Sequence, residues 1–197
     1  MKRIVLPLGC AFLLAACEQG GIDEQTEEGP AETTTMEEAE SDTTMMVPGG
    51  AASADVRDAE GNSIGRVELR ETDGGVALAG MLAGLSPGEH GFHIHETGLC
   101  EPPAFESAGG HFAPGGRQHG FDHPEGPHAG DLWNLEVAQD STVTVSATDS
   151  LVTLREGANA LLGGDGSALV IHLDPDDYRS QPSGASGDRV ACGVIEG

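Results

Sequence analysis

Glycine and proline recur so often in this chain that long helices are excluded. The 197 residues include 30 glycines and 11 prolines, which interrupt regular structure at short intervals. Between these interruptions, apolar and polar residues alternate with a period of two, which is typical of a strand with one buried face. The alternation predicts eight short strands, at 54–58, 63–70, 76–82, 90–95, 132–137, 142–148, 168–173 and 190–195. We therefore expect one all-β domain, a sandwich or a barrel.

The first 17 residues have the features of an export signal. Lys2 and Arg3 precede an apolar run over 4–16, which is shorter than the ~20 residues that a membrane-spanning helix needs. The sequence Leu14-Ala15-Ala16-Cys17 resembles the bacterial lipobox, in which the leader is cut before the cysteine and the thiol is lipidated. We expect a signal peptide over 1–16 and a lipid on Cys17. The alternative is an ordinary cleaved signal with an incidental Cys17.

Residues 17–50 have the composition of a disordered tether. They carry ten acidic residues, no basic residue and almost no large apolar side chain, so burial cannot offset the entropy of ordering them. Met36, Met45 and Met46 are soft enough to bind copper, but isolated methionines in a flexible linker usually have no role and we assign them none. The predicted globular domain is therefore 51–197.

The charge balance excludes one class of partner and the histidine content points to another. Nine Lys and Arg against 33 Asp and Glu give a formal charge of -24, so the surface cannot neutralise a phosphate backbone and nucleic acid is excluded. The chain has eight histidines but only one Trp and one Tyr. Imidazole is the commonest side-chain metal ligand, so metal binding is the first hypothesis.

Two long segments without a strand pattern are predicted to carry the chemistry, because loops of this length in a compact domain are usually functional. They are 97–130 and 174–188. Just before the first of them, His93 and His95 alternate along a strand and therefore point to one face. His172, at the end of a later strand, adds a third imidazole, and a set rich in nitrogen suits Cu(II).

A second set of ligands follows in and after the first long segment. It consists of three imidazoles and a carboxylate, which form a tetrahedral set suited to zinc. Its members are His111, His119, His128 and Asp131.

These motifs resemble the copper-zinc superoxide dismutase family, and the resemblance covers about residues 51–197. Four segments carry it: the copper-ligand signature, the segment with the shared imidazolate, the zinc ligands and the C-terminal signature. They are Gly91-Phe92-His93-Ile94-His95-Glu96, Gly110-His111-Phe112-Ala113-Pro114, His119 with His128-Ala129-Gly130-Asp131, and Arg189-Val190-Ala191-Cys192-Gly193-Val194-Ile195.

The resemblance implies the roles of these residues. It implies one copper on His93, His95, His111 and His172, and one zinc on His111, His119, His128 and Asp131, with His111 shared by both. Asp176 matches a carboxylate that accepts hydrogen bonds from one copper-ligand and one zinc-ligand imidazole. Arg189 matches the residue that guides superoxide, and Arg179 is expected to be a weaker helper. His90 matches a structural hydrogen-bond donor, and His123 has no counterpart among the ligands.

Cys100 and Cys192 are expected to form a disulfide. They are the only cysteines of the predicted domain, and an exported chain meets oxidising conditions. The resemblance implies the same bridge, between the zinc loop and the last strand.

The resemblance further implies an eight-stranded antiparallel Greek-key β-barrel or sandwich, with a long zinc and disulfide loop and an electrostatic loop. The expected activity is superoxide dismutation on the periplasmic side of a membrane, with the lipid as the only membrane contact. The alternative is a non-enzymatic envelope protein of the same fold that binds copper or zinc. Zinc hydrolysis is disfavoured, because a zinc with four protein ligands leaves no open position. Monomer and homodimer both remain open.

Overall fold

The computed structural model describes residues 50–197, and the predicted signal peptide, Cys17 and the tether methionines lie outside the described residues. The regular secondary structure of the described part consists of β-strands and one short 3-10 turn at Glu106–Ala108. Its strands are β1 Ala51–Asp58, β2 Ser63–Thr72, β3 Gly75–Ala83, β4 Gly88–His90, β5 Phe92–His95, β6 Leu135–Val137, β7 Thr142–Asp149, β8 Ala168–His172 and β9 Arg189–Glu196. Within this range, no helix has the length and apolar character to span a membrane.

The strands form an antiparallel Greek-key arrangement, as the sequence led us to expect. The large sheet has the order β5-β8-β9-β1-β2-β3-β7, and β4 pairs with β6 in a second sheet. The first three strands form a meander, after which the chain crosses over through β4, β5 and β6 before β7 pairs with β3. Since β4 runs directly into β5, the two sheets join and the large sheet curls back towards its own edge.

The predicted strand 90–95 is two strands in different sheets, so nine strands replace the expected eight. The break falls at Gly91, whose carbonyl accepts from the His172 N–H (2.8 Å) and whose N–H donates to the Asp174 carbonyl (2.9 Å). These two bonds tie the break to the last residue of β8 and to the chain that follows it.

The core follows the alternation of the strands. Leu69, Leu78, Val145 and Ile195 are among the buried inward residues of the main core cluster. β5 and β8 are buried on both faces, because loops cover their outer side. There, Val170 packs with Phe105 in a second cluster beside the disulfide.

The disulfide is present between Cys100 and Cys192, with an S–S distance of 2.01 Å and a Cα–Cα distance of 5.7 Å. It joins the loop after β5 to β9. This confirms the pairing expected from the sequence.

A third long connection, between β7 and β8, was not foreseen. The sequence prediction treated only 97–130 and 174–188 as long loops, yet residues 150–167 also lie outside strands. This segment contributes Leu154 and Leu161, both fully buried, to the main core cluster. Its role is therefore to close the core.

Candidate metal centre

β5 presents two histidines on the outer side of the barrel. Phe92 and Ile94 belong to the main core, so the alternate residues His93 and His95 point away from it. Both imidazoles are nevertheless buried. The strand thus supplies two ligands in a fixed relative position, outside the barrel and out of bulk water.

The loop after β5 returns along the free edge of that strand and brings further ligands. The Phe112 N–H donates to the Ile94 carbonyl (2.9 Å), and the Ile94 N–H donates to the Gly130 carbonyl (2.8 Å). These backbone bonds place His111 opposite His95 and Asp131 opposite His93. Two distant parts of one loop are therefore held beside the same strand.

Four ring nitrogens from the two ligand strands and the loop face one another in a buried cluster. They have no hydrogen-bond partner within residues 50–197, although a buried polar atom without a partner is costly. A metal ion would take the lone pairs of all four, and a site made only of imidazole nitrogen suits copper. The atoms are Nδ1 of His93 and Nε2 of His95, His111 and His172.

A second cluster surrounds one carboxylate oxygen. Oδ1 of Asp131 lies 2.9 Å from Nδ1 of His111, 3.0 Å from Nδ1 of His119 and 3.3 Å from Nδ1 of His128. Ligand atoms about 2.0–2.1 Å from a tetrahedral zinc are roughly 3.3 Å apart. The spacing of the four residues therefore fits zinc, and their chemistry is that of a closed site.

His111 belongs to both clusters. Its Nδ1 faces Asp131 and the candidate zinc ligands, while its Nε2 is one of the four unpartnered nitrogens. One imidazole thus has a nitrogen directed towards each of the two candidate metal positions.

The opposite nitrogens of four other ligands, His93, His95, His119 and His172, are fixed by acceptors. Asp176 accepts from Nε2 of His93 (2.8 Å, Oδ2) and from Nε2 of His119 (3.0 Å, Oδ1). Backbone carbonyls do the same for the remaining two: Nδ1 of His95 donates to Gly109 (3.0 Å) and Nδ1 of His172 to Gly187 (3.3 Å). Each acceptor selects the tautomer that leaves the metal-facing nitrogen with its lone pair.

Burial keeps the imidazoles of the first cluster neutral. It lowers the pKa of His93 to about 3 and that of His172 to about 4, and it also lowers the pKa values of His95 and His111. Metal ligands must be deprotonated, so these groups are ready to bind at neutral pH.

The second cluster has the opposite electrostatics. Burial opposes the charged form of His119, but hydrogen bonds with Asp131 and Asp176 outweigh it and raise the His119 pKa to about 9. Burial also opposes ionisation of Asp131, yet the surrounding imidazoles hold the pKa of that carboxyl well below its usual range. The pocket therefore stabilises positive charge at its centre, as a site for a divalent cation requires.

Asn134 is a supporting residue that sequence reasoning missed. Its side-chain amide donates to the Asp176 carbonyl (3.0 Å), and its Oδ1 accepts from the Asp176 N–H (2.9 Å). It thus holds the backbone of the residue that orients His93 and His119. Nothing in the sequence signals this role, since asparagine is common in loops.

Arg189 lines a cleft of about 210 Å³ together with His95, His111 and His172. Its guanidinium donates to the carbonyls of Phe105 and Gly109, both at 2.6 Å. Within residues 50–197, no carboxylate comes within ion-pair distance of it. Its positive charge is therefore fixed in place and directed towards the cleft.

The structure places three other predicted residues outside the two clusters. Arg179 forms an ion pair with Asp122 (3.2 Å) and does not line the cleft, so the structure gives no support to its expected helper role. His90 is buried and donates from Nδ1 to the His172 carbonyl (2.6 Å), in keeping with a structural role. His123 lies in a turn, where its Nδ1 accepts from the Glu125 N–H (3.2 Å).

Comparison with known proteins gives a consistent result. Residues 63–195 match the family described as copper/zinc superoxide dismutase. The chain is 49% identical over 146 residues to superoxide dismutase [Cu-Zn] 2 of Aquifex aeolicus, covering 73% of this chain and 85% of that protein. It resembles a SOD-like protein from Bacillus subtilis (TM-score 0.70, 42% identity, 72% of this chain, 96% of that one). It also resembles the Cu/Zn superoxide dismutase from Brucella abortus (TM-score 0.63, 29% identity, 75% and 100%).

Proposed function

Because this chain belongs to the copper/zinc superoxide dismutase family, we propose that the two histidine clusters are the sites of its copper and its zinc. Copper is held by His93, His95, His111 and His172, and zinc by His111, His119, His128 and Asp131. The observation that carries this assignment is the set of four buried, unpartnered nitrogens, three of which belong to histidines that line the cleft beside Arg189.

The activity of the protein is superoxide dismutation, in which two superoxide ions and two protons become oxygen and hydrogen peroxide. Copper, when bound, supplies the one-electron chemistry, accepting an electron from one superoxide and returning it to the next. Zinc has no redox chemistry and fixes the geometry of its ligands. The residues of the chain attract the anion, hold the ligands in place and supply one of the two protons, while the other comes from water.

Arg189 is assigned the attraction of the substrate anion. A cation held by two carbonyls in a narrow cleft focuses the local field on the opening beside His95, His111 and His172. His111 is assigned the role of proton donor. Its Nε2 has no partner within the described residues and would hold a proton when it is not a ligand, while its Nδ1 faces Asp131 and the candidate zinc ligands. One of the two protons would therefore be donated from His111 beside the cleft, and the other from water.

A metal analysis combined with a superoxide-decay assay tests these assignments. We expect one copper and one zinc per chain, and rapid decay that is lost when copper is withheld and zinc is retained. A non-enzymatic metal-binding protein of the same fold would hold both metals without accelerating the decay. The fixed Arg189 at the cleft disfavours that alternative, because storage of metal does not need a guide for anions.

We further propose that the enzyme works on the periplasmic side of a membrane, anchored by a lipid on Cys17. The basis is the leader that ends in Leu14-Ala15-Ala16-Cys17, together with the disulfide, which needs an oxidising compartment. Cys17→Ser should move the protein from the membrane to the soluble fraction with its activity unchanged. Membrane retention of this variant would point to an uncleaved leader or a protein anchor instead.

A further inference from the structure

The barrel is not closed by hydrogen bonds between β6 and β7. These strands are joined by a tight turn in which the Ala138 N–H donates to the Thr142 carbonyl (2.9 Å). Beyond this turn, β6 pairs only with β4 and β7 only with β3 within the described chain. A cavity of about 580 Å³ lies between the two strands, and we call it the β6–β7 groove.

The backbone of β7 presents free hydrogen-bonding groups to this groove. The Ser141 carbonyl accepts from the Gly84 N–H, on the β3 side, whereas the Thr142 carbonyl points the opposite way. Backbone groups alternate along a strand, so the N–H and carbonyl groups of Thr144, Ser146 and Thr148 also point away from β3. No backbone or side-chain group in residues 50–197 pairs with them.

Part of the groove lining is apolar and buried, and an exposed aromatic group lies beside it. Leu135, Val143 and Val145 line it and are buried. Trp133 also lines it, is 62% exposed and stacks on Phe121 with ring centroids 4.2 Å apart. An exposed indole beside an unpaired strand edge is the kind of surface that soluble proteins normally cover.

The charge of the groove is negative. Asp131 belongs to the candidate zinc cluster and Asp149 is buried, so the exposed charge of the groove is that of Glu136, with no Lys, Arg or His among the lining side chains. The whole chain has a formal charge of -24. A second copy would bring the same negative charge to the groove, whereas a basic partner would be attracted to it.

From these observations we infer that the β6–β7 groove binds an extended basic polypeptide segment, which adds as a strand to the free edge of β7. Main-chain hydrogen bonds to Thr144, Ser146 and Thr148 would supply the register. Alternate side chains of the segment would contact the apolar part of the lining at Leu135, Val143 and Val145, and the others, Lys or Arg, would face water beside Glu136. Trp133 would cover the end of the added strand.

A peptide titration tests this inference with the full-length, metal-loaded protein. The probe is an acetylated and amidated octapeptide of alternating Lys and Val. Because Trp133 is the only tryptophan in the chain, its fluorescence reports binding at the groove directly. We expect saturable binding, together with slower backbone amide exchange in the segment 142–149. No binding, or protection at another strand, would overturn the inference.

Three controls separate strand addition from simple charge attraction. The same peptide with N-methylated backbone amides keeps its charge and should lose binding, so equal binding would contradict strand addition. Ser146→Pro removes one edge N–H without touching the β3 ladder and should weaken binding about tenfold. Glu136→Gln should weaken it up to about fivefold, whereas Glu125→Gln, outside the groove, should have no effect.

Self-association is the remaining competing outcome. Sedimentation should find the same oligomeric state with and without the peptide. If segment 142–149 is already protected without peptide, and that protection grows with protein concentration, the groove is occupied by a second copy and the inference is wrong.

Discussion

The substitution Gly184→Ala should weaken zinc binding by moving a residue that binds no metal. Gly184 has a φ of +67°, and a Cβ there would overlap Oδ1 of Asp176 and lie 2.7 Å from Nε2 of His119. Real Cβ atoms essentially never approach another heavy atom within 3.0 Å, so both side chains must move. The loop cannot yield easily, because the Gly184 N–H donates to Ser180 (2.7 Å) and its carbonyl accepts from the Asp177 N–H (3.0 Å).

The size of the effect follows from the contacts that are lost. Displacement of Asp176 disturbs its hydrogen bonds to His93 (2.8 Å) and His119 (3.0 Å), which orient one proposed ligand of each metal. Loss of such an orienting partner typically lowers metal affinity 10–100-fold, or about 1.4–2.7 kcal/mol. Zinc should be affected more than copper, because the new methyl group also touches His119, a proposed zinc ligand.

Competition with a chromophoric chelator measures the zinc affinity of the metal-free protein. The matched control is Gly164→Ala, since Gly164 also has a positive φ of +55° but has nothing within 4 Å of its added Cβ. Both variants carry the backbone cost of alanine in a left-handed conformation, about 1 kcal/mol. Equal zinc affinity in the two variants would refute the reasoning, because it would mean that the position of Asp176 does not matter.

Three further predictions concern the shared ligand, a buried acid and the cleft. His111→Ala should lower both copper and zinc content, whereas His128→Ala should lower chiefly zinc, and full loading of the first variant by metal analysis would contradict the sharing. Burial raises the pKa of Asp149 to about 6, so its contribution to the free energy of unfolding is present below pH ~4 and is lost as pH rises through 6. The free energy of unfolding of the metal-free protein, measured in urea, should therefore fall between about pH 4 and 6, and Asp149→Asn should reduce that fall by up to about 3 kcal/mol. If the fall is the same in the variant, this carboxyl is not its source. The second-order rate with superoxide should fall as ionic strength rises, while Arg189→Glu should lower it about tenfold at low salt and reverse the trend with both metals bound; a wild-type rate that rises with salt would mean that the net negative charge dominates.

Much of the barrel could be predicted because its residues obey short-range rules. Alternation located the long strands to within about three residues, since each has one buried face. The sequence pattern predicted wrong strand boundaries and loops where contacts between distant parts of the chain determine the structure. Gly91 breaks a strand because it must bond to the chain after β8, and 150–167 is a loop that buries Leu154 and Leu161. Neither contact leaves a periodic signal in the sequence.

The candidate ligands were accessible from the sequence for a similar reason. His93 and His95 are two residues apart on one strand, and the set that ends at Asp131 is close along the chain. The supporting residues were not accessible in this way. Asn134 is 42 residues from Asp176, and Gly184 is recognisable only from the space that a Cβ would need. Orientation of the ligands therefore depends on contacts that only the folded chain defines.

One carbonyl connects the attraction of substrate with the geometry of the metal ligands. Gly109 accepts from Nδ1 of His95 (3.0 Å) and also from Nη2 of Arg189 (2.6 Å). The other terminal nitrogen of Arg189, Nη1, donates to the carbonyl of Phe105. Phe105 follows Cys100 in the loop that the disulfide ties to β9. The guanidinium and the His95 ring therefore share one support. A movement of this loop would change the direction of the positive charge and the position of a candidate copper ligand together, which gives the disulfide a function in the site as well as in stability.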